Sequence, residues 1–162
     1  MIKDFAMQVS TAQVVTAAAV STDSVDLSSA GAAGAQGAIV GANPHSIGTG
    51  RVLRLLVSVA VTATAAGAAI VTFQIITSAA AALTTPSVLG ASDGYAVATL
   101  SAGRQPIVIN VNPDIGNAQG DNLRFLGMRY LIATGPLTAG AFTAGFFLDV
   151  QDARVFPAST SS

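Results

Sequence analysis

The sequence predicts an all-β fold, a jelly-roll-like antiparallel sandwich of about eight strands with long loops. Three observations carry that prediction. Apolar and polar residues alternate with period two along several short stretches, which is the mark of a half-buried strand. Turn-forming residues separate those stretches. All eight acids are Asp and six of the seven bases are Arg, so Glu and Lys, the residues that favour exposed helix faces, are nearly absent. Among sandwiches and barrels, the jelly roll is preferred on strand count alone.

Met7 to Val15 reads as a first strand and Val25-Asp26-Leu27 as a short one, while Ala17 to Val20 is too short to form a helix. Residues 30–50 are rich in Gly and Ala, with Asn43-Pro44 inside them, and are too poor in bulky side chains to pack a core. They read as a long loop or arm. Leu53, Leu55, Val57, Val59 and Val61 face one way, with Arg54, Ser58 and Thr62 opposed. After Gly67 the pattern resumes at Ala69, Val71, Phe73 and Ile75, opposed by Thr72 and Gln74, giving two strands joined by a turn.

From Ser78 to Gly94 the chain reads as turns, with Pro86, Gly90 and Asp93-Gly94 as the signals. Tyr95 to Leu100 is the next expected strand, ended by Gly103, and Ile107 to Val111 the one after, stopped by Asn112-Pro113. Leu123 to Thr134 places Leu126, Met128, Tyr130 and Ile132 on one face, with Arg124 and Arg129 on the opposite side. Thr143 to Val150 turns Phe146, Leu148 and Val150 inward and Asp149 and Gln151 outward, and residues 157–162 read as a frayed tail. At 162 residues the chain fits a single domain over 1–162. A chain of that length buries about two-thirds of its unfolded surface.

The absence of Cys removes disulfides, thiolate chemistry and Cys-ligated metals together. Charged residues make up 9% of the chain, so a surface this poor in charge calls for cover from copies of itself or from a partner. Arg outlasting Lys suits an interface, because guanidinium is less strongly hydrated than ammonium. With a net charge of −1 and no basic run, phosphate neutralisation has little to work with, and no nucleic-acid partner is expected. The N-terminal residues lack the basic-then-apolar order of a signal peptide. Leu55 to Ser92 carries no charge, but it is Ala, Thr and Val with period-two alternation, so no membrane span is expected.

No set of residues composes a catalytic or cofactor site, so no enzyme activity, cofactor or metal is expected. His45 is the sole histidine and stands in the Asn43-Pro44-His45 segment with no motif for an acid or nucleophile. The Asp114 to Asp121 loop spaces oxygen ligands about a glycine, yet it departs from the EF-hand pattern and has no Glu, and a plain turn fits it better. Asp23 with Asp26, and Asp149 with Asp152, lie three apart at strand ends and lack the aromatics of a glycosidase cleft.

Met128 to Asp149 reads as a strand, a Gly135-Pro136 turn, and a Thr138-Ala139-Gly140 unit that recurs as Thr143-Ala144-Gly145, together a hairpin with a wide, closely packed turn. This segment resembles the capsid cement, or decoration, proteins of tailed bacteriophages, in the family typified by a Bordetella phage. The shared signature includes Arg129, Tyr130, Gly135, Pro136, Thr138 and Gly140, then Thr143, Gly145 and Asp149. Ser10 to Thr16, Ser21 to Leu27, Val71 to Ser78 and Leu100 to Gly103 are similar to upstream motifs of that family in the same order. The chain departs from it in the Gly/Ala tract and in a longer insert around Pro113 to Gly120.

The resemblance implies a jelly-roll homo-oligomer, a dimer or trimer, on the outer surface of an icosahedral head. Made in the host cytoplasm, it would bridge major capsid subunits and reinforce the shell. Arg51, Arg54 and Arg124 are the expected partner contacts, although the same residues also suit the ends of surface strands. Another virion part (head fibre or tail subunit) and a carbohydrate-binding jelly roll for host attachment are the alternatives. The second of these calls for aromatics in a shallow site, and only Tyr95 and Tyr130 are available besides phenylalanine.

Overall fold

A computed structural model describes residues 7–26, 54–110 and 124–147. The 30–50 tract, His45, Arg51, Asp114 to Asp121, Asp149, Asp152 and the tail therefore lie outside the described residues. The described residues form ten strands: β1 (Gln8–Val14), β2 (Ala19–Val20), β3 (Val25–Asp26), β4 (Arg54–Ala65), β5 (Ile70–Ser78), β6 (Ser87–Ala91), β7 (Tyr95–Ala96), β8 (Ile107–Asn110), β9 (Phe125–Ala133) and β10 (Leu137–Phe147). They make a four-stranded sheet in the order β1-β10-β4-β8 and a six-stranded sheet in which β2-β9-β5-β6 are joined by β3 on β9 and β7 on β5. These pairs are antiparallel.

β2 and β3 share one place beside β9, and β6 and β7 share one beside β5, so the ten strands fill eight positions. Numbered along the chain, those positions run 1-8-3-6 in one sheet and 2-7-4-5 in the other. Every step between positions except β5 to β6 passes from one sheet to the other, which is the double Greek key of a jelly roll. The predicted fold class is the observed one. Among the described residues no helix is long and apolar enough to cross a membrane.

Alternation builds the core as expected. Leu55, Val57 and Val59 from one sheet meet Val71, Phe73, Ile75, Met128 and Tyr130 from the other, all buried. Val61 departs from its expected place and is half exposed, because the β4–β10 ladder slips between Val59 and Val61 and turns it outward. Ring packing ties the layers at the centre: Phe73 lies 5.3 Å from Phe142 and 6.0 Å from Tyr130, both edge-on, and Tyr130 stacks on Phe142 at 5.5 Å.

Three further expectations are corrected. β6 crosses the stretch read as turns, since Val88 and Leu89 extend along β5 between Pro86 and Gly90. Tyr95 to Leu100 is a two-residue strand followed by a 3-10 turn at Val97–Thr99. Gly135-Pro136 does not close a hairpin: β9 pairs with β5, β2 and β3, whereas β10 pairs with β1 and β4. Thr134 (φ 64°) and Gly135 (φ 108°) carry the chain across the sandwich edge, and β10 runs as strand from Leu137 through both Thr-Ala-Gly units.

Candidate interaction surfaces

Several residues of the resembling motifs meet at joints within and between the sheets. In β1 the ladder to β10 slips between Ser10 and Gln13, with Ala12 at φ 43° in the bulge and its N–H donated to Thr143 Oγ1 at 2.9 Å. The bulge places Ser10 where its hydroxyl accepts the Tyr130 O–H at 3.0 Å and donates to Gln13 Oε1 at 2.8 Å. Gln13 in turn donates to the Val20 carbonyl at 2.8 Å and accepts the Thr22 N–H at 3.1 Å. One chain of side chains thus links β1 to both β9 and β2, and each buried polar atom in it has a partner.

Elsewhere, Ser21 Oγ accepts the Met128 N–H at 3.0 Å, Ser78 Oγ donates to the Thr84 carbonyl at 2.6 Å, and Ala102 N–H reaches Thr62 Oγ1 at 2.9 Å beside the buried Leu100. Thr138 shares a hydrogen bond with Thr64 at 2.8 Å, and Gly145 lies against the Met7 and Gln8 backbone. These motif residues build the sandwich.

Burial in this network pushes the Tyr130 hydroxyl up to about 12, opposed in part by its hydrogen bond to Ser10. The neutral phenol is the form that the fold favours. Its contribution to stability is complete below pH 10, the ordinary tyrosine value, and is lost as pH rises through 12. Tyr130→Phe is therefore expected to remove a loss of about 2 kcal/mol between those two values. Urea unfolding of the two proteins at pH 9 and pH 11.5 checks it; equal pH slopes would show that Tyr130 does not carry the effect.

The expected contact residues separate into different situations. Arg124 stands just before β9, and its Nε and Nη2 donate to the Asp26 carboxylate at 3.3 and 3.2 Å while the guanidinium lies 4.8 Å from the Phe125 ring centre. It closes the β3–β9 strand end. Arg54 begins β4, between Asn110 and Phe147 in the ladder, and its Nε is sealed from water with no hydrogen-bond partner among the described residues. Leu56, Val108 and Phe147 share its outward face, with Val108 exposed. Arg51 lies outside the described residues.

A shallow cleft of about 360 Å³ opens between the sheet edges at β6 and β8, lined by Ser92, Asp93, Tyr95 and Asn110. The Tyr95 ring carries the Arg104 guanidinium 4.9 Å from its centre and lies 6.1 Å from the Phe73 ring. Tyr130 is fully buried. Neither tyrosine offers the open platform that a sugar site needs. Among the described residues no group of three or more metal-ligating side chains comes together.

Arg129 is a residue whose role the sequence does not reveal. Its Nε and Nη2 both donate to Gln74 Oε1, at 2.8 and 2.5 Å, on the outward face of the six-stranded sheet. Only the β5–β9 register brings the two together.

No curated protein matches the chain. A family model, that of Bbp16, matches residues 9–146, from the second residue of β1 through all but the last residue of β10, and so spans nearly all of the described sandwich. The chain belongs to the Bbp16 family, whose name points to a protein of a Bordetella phage.

Proposed function

We propose that the chain is a structural virion protein of the capsid cement type, bound to the outer surface of a phage head as a homo-oligomer and bridging major capsid subunits. The observation that carries this reading is the Bbp16 match over residues 9–146, which contains nearly all of the segments that resemble cement proteins. The fold supports it. A jelly roll packs two sheets on one core, and parts of its outer faces here carry exposed apolar side chains, Val108 on one sheet and Ile70 and Leu131 on the other.

The action is thermodynamic. An oligomer that touches several coat subunits at once adds weak contacts through effective concentration. Binding to the assembled shell, and not to its separated parts, then stabilises assembly by linkage. Arg54, with the apolar Leu56 and the exposed Val108 beside it on the outward face of the four-stranded sheet, suits one such contact. The chain carries no reaction in this role.

Virions lacking the protein are expected to release DNA at lower temperature, and on dilution of salt, than wild-type virions. Dye accessibility of packaged DNA during a thermal ramp measures this. Heads as robust without the protein as with it would end the cement reading, and a copy number of only a few per virion by densitometry would point instead to a fibre or tail part.

A further inference from the structure

The outward face of the six-stranded sheet is divided in two. At one end Leu83 folds over it and is 2% exposed, pressed so closely on Gly127 that a Cβ there would overlap its side chain. Beside Gly127 in the ladder stands Ile76, also buried. That half is closed by the chain's own loop.

The other half is open. The register sets Val20, Arg129, Gln74 and Ala91 side by side across the sheet, and the neighbouring rows hold Leu131 beside Thr72 and Ile70 beside Ala133. Leu131 is 41% exposed and Ile70 40%. Within this apolar field the half-buried Arg129 is the charge, and among the described residues no carboxylate pairs with it. Of the five N–H donors of a guanidinium, those on Nε and one on Nη2 are held by the neutral Gln74, leaving the outer edge of the fork undirected by the described residues.

A cation kept half-buried among apolar side chains costs desolvation that a neutral amide only partly offsets. The matching surface carries an anion inside an apolar rim. A surface for nucleic-acid phosphates gathers several bases, and here a single Arg marks the described face, in a chain of net charge −1. A carboxylate fits the remaining edge of the planar fork.

We infer that the open half of this sheet face docks a protein partner through a carboxylate received by Arg129, with Gln74 aiming the guanidinium and Leu131 and Ile70 sealing the rim. The inference rests on the cement reading and deepens it: the carboxylate belongs to a coat subunit. Arg54 lies on the outward face of the other sheet, apart from this dock.

Gln74→Glu is the informative variant, because it supplies the missing carboxylate from within. Full-length protein is added back to heads purified from phage lacking it, and bound protein is measured by sedimentation. Gln74→Glu is expected to keep or raise the melting temperature while weakening binding by roughly tenfold or more, and Leu131→Ser to weaken it without loss of fold. Arg129→Met guards against a folding defect in the first variant, since it removes the same charge with an apolar chain of similar length. If wild type binds and the variants that melt like wild type bind equally well, the carboxylate dock is overturned and the cement reading stands. If wild type itself does not bind, both fall. Displacement of bound wild type by duplex DNA at constant ionic strength would overturn the assignment to a protein carboxylate.

Discussion

Phe73→Ala is expected to destabilise the domain by about 3–5 kcal/mol, the cost of deleting a fully buried aromatic and leaving its cavity. Phe73 is the hub of the ring cluster, touching Tyr130 and Phe142 edge-on and leaning on Tyr95, and it is one of the few side chains that bind the two sheets at their centre. Domains of this size hold about 5–15 kcal/mol in total, so the loss takes a large part of the reserve. For a chain of this length it corresponds to a drop of roughly 10 °C in Tm. Phe73→Leu, which keeps most of the volume but not the ring contacts, should cost under about 2 kcal/mol. Urea midpoints for the two variants test the ordering. An alanine variant no weaker than the leucine one would mean that the core closes over the cavity and that the rings are not what joins the layers.

Gly140→Ala is expected to cost about 2–3 kcal/mol although it adds a single methyl group. Gly140 sits at φ 155°, a backbone state that L side chains rarely adopt. From Ala139 to Ala141 the β10 strand advances two residues while β4 advances three, from Thr64 to Val61, so Gly140 faces the bulge. A Cβ there would lie 3.3 Å from the Ala63 Cβ and 3.4 Å from its Cα, against a strand that cannot step aside. The Gly140 carbonyl also accepts the Val15 N–H at 3.0 Å, so the distortion would reach the end of β1. Gly67→Ala is the control, since nothing lies within 4 Å of a Cβ there, and it should stay within about 0.5 kcal/mol of wild type. Equal stabilities for the two variants would refute the backbone argument.

The strands that alternate cleanly are legible in the sequence. Residues 54–59, 69–75 and 107–110 show their inward side chains directly, and β9 shows Leu126, Met128 and Tyr130. β6 is hidden because Pro86 stands just before it and Gly90 inside it, on an edge strand where such residues are tolerated. The first half of β10 is hidden because Thr, Ala and Gly are too similar in size and polarity to show which face is which. Arg124 is legible as a surface base, but its pairing with Asp26, 98 residues away, is not. The acidic loop and Arg51 stay as sequence expectations, since they lie outside the described residues.

The sequence by itself determined the class: period-two alternation, turn residues and a near absence of Glu and Lys leave a β sandwich as the consistent solution. Its motifs also point to the Bbp16 family. Only the tertiary structure decided that β4 and β5, and β9 and β10, leave their turns for opposite sheets, and that Arg129 meets Gln74 with no acid beside it among the described residues. The reason is physical. Alternation is a property of one strand against its own two faces, and so it is written locally. The choice of neighbour and register is made between segments far apart in the chain, by bulges, glycine backbone angles and a shared core that no short window contains.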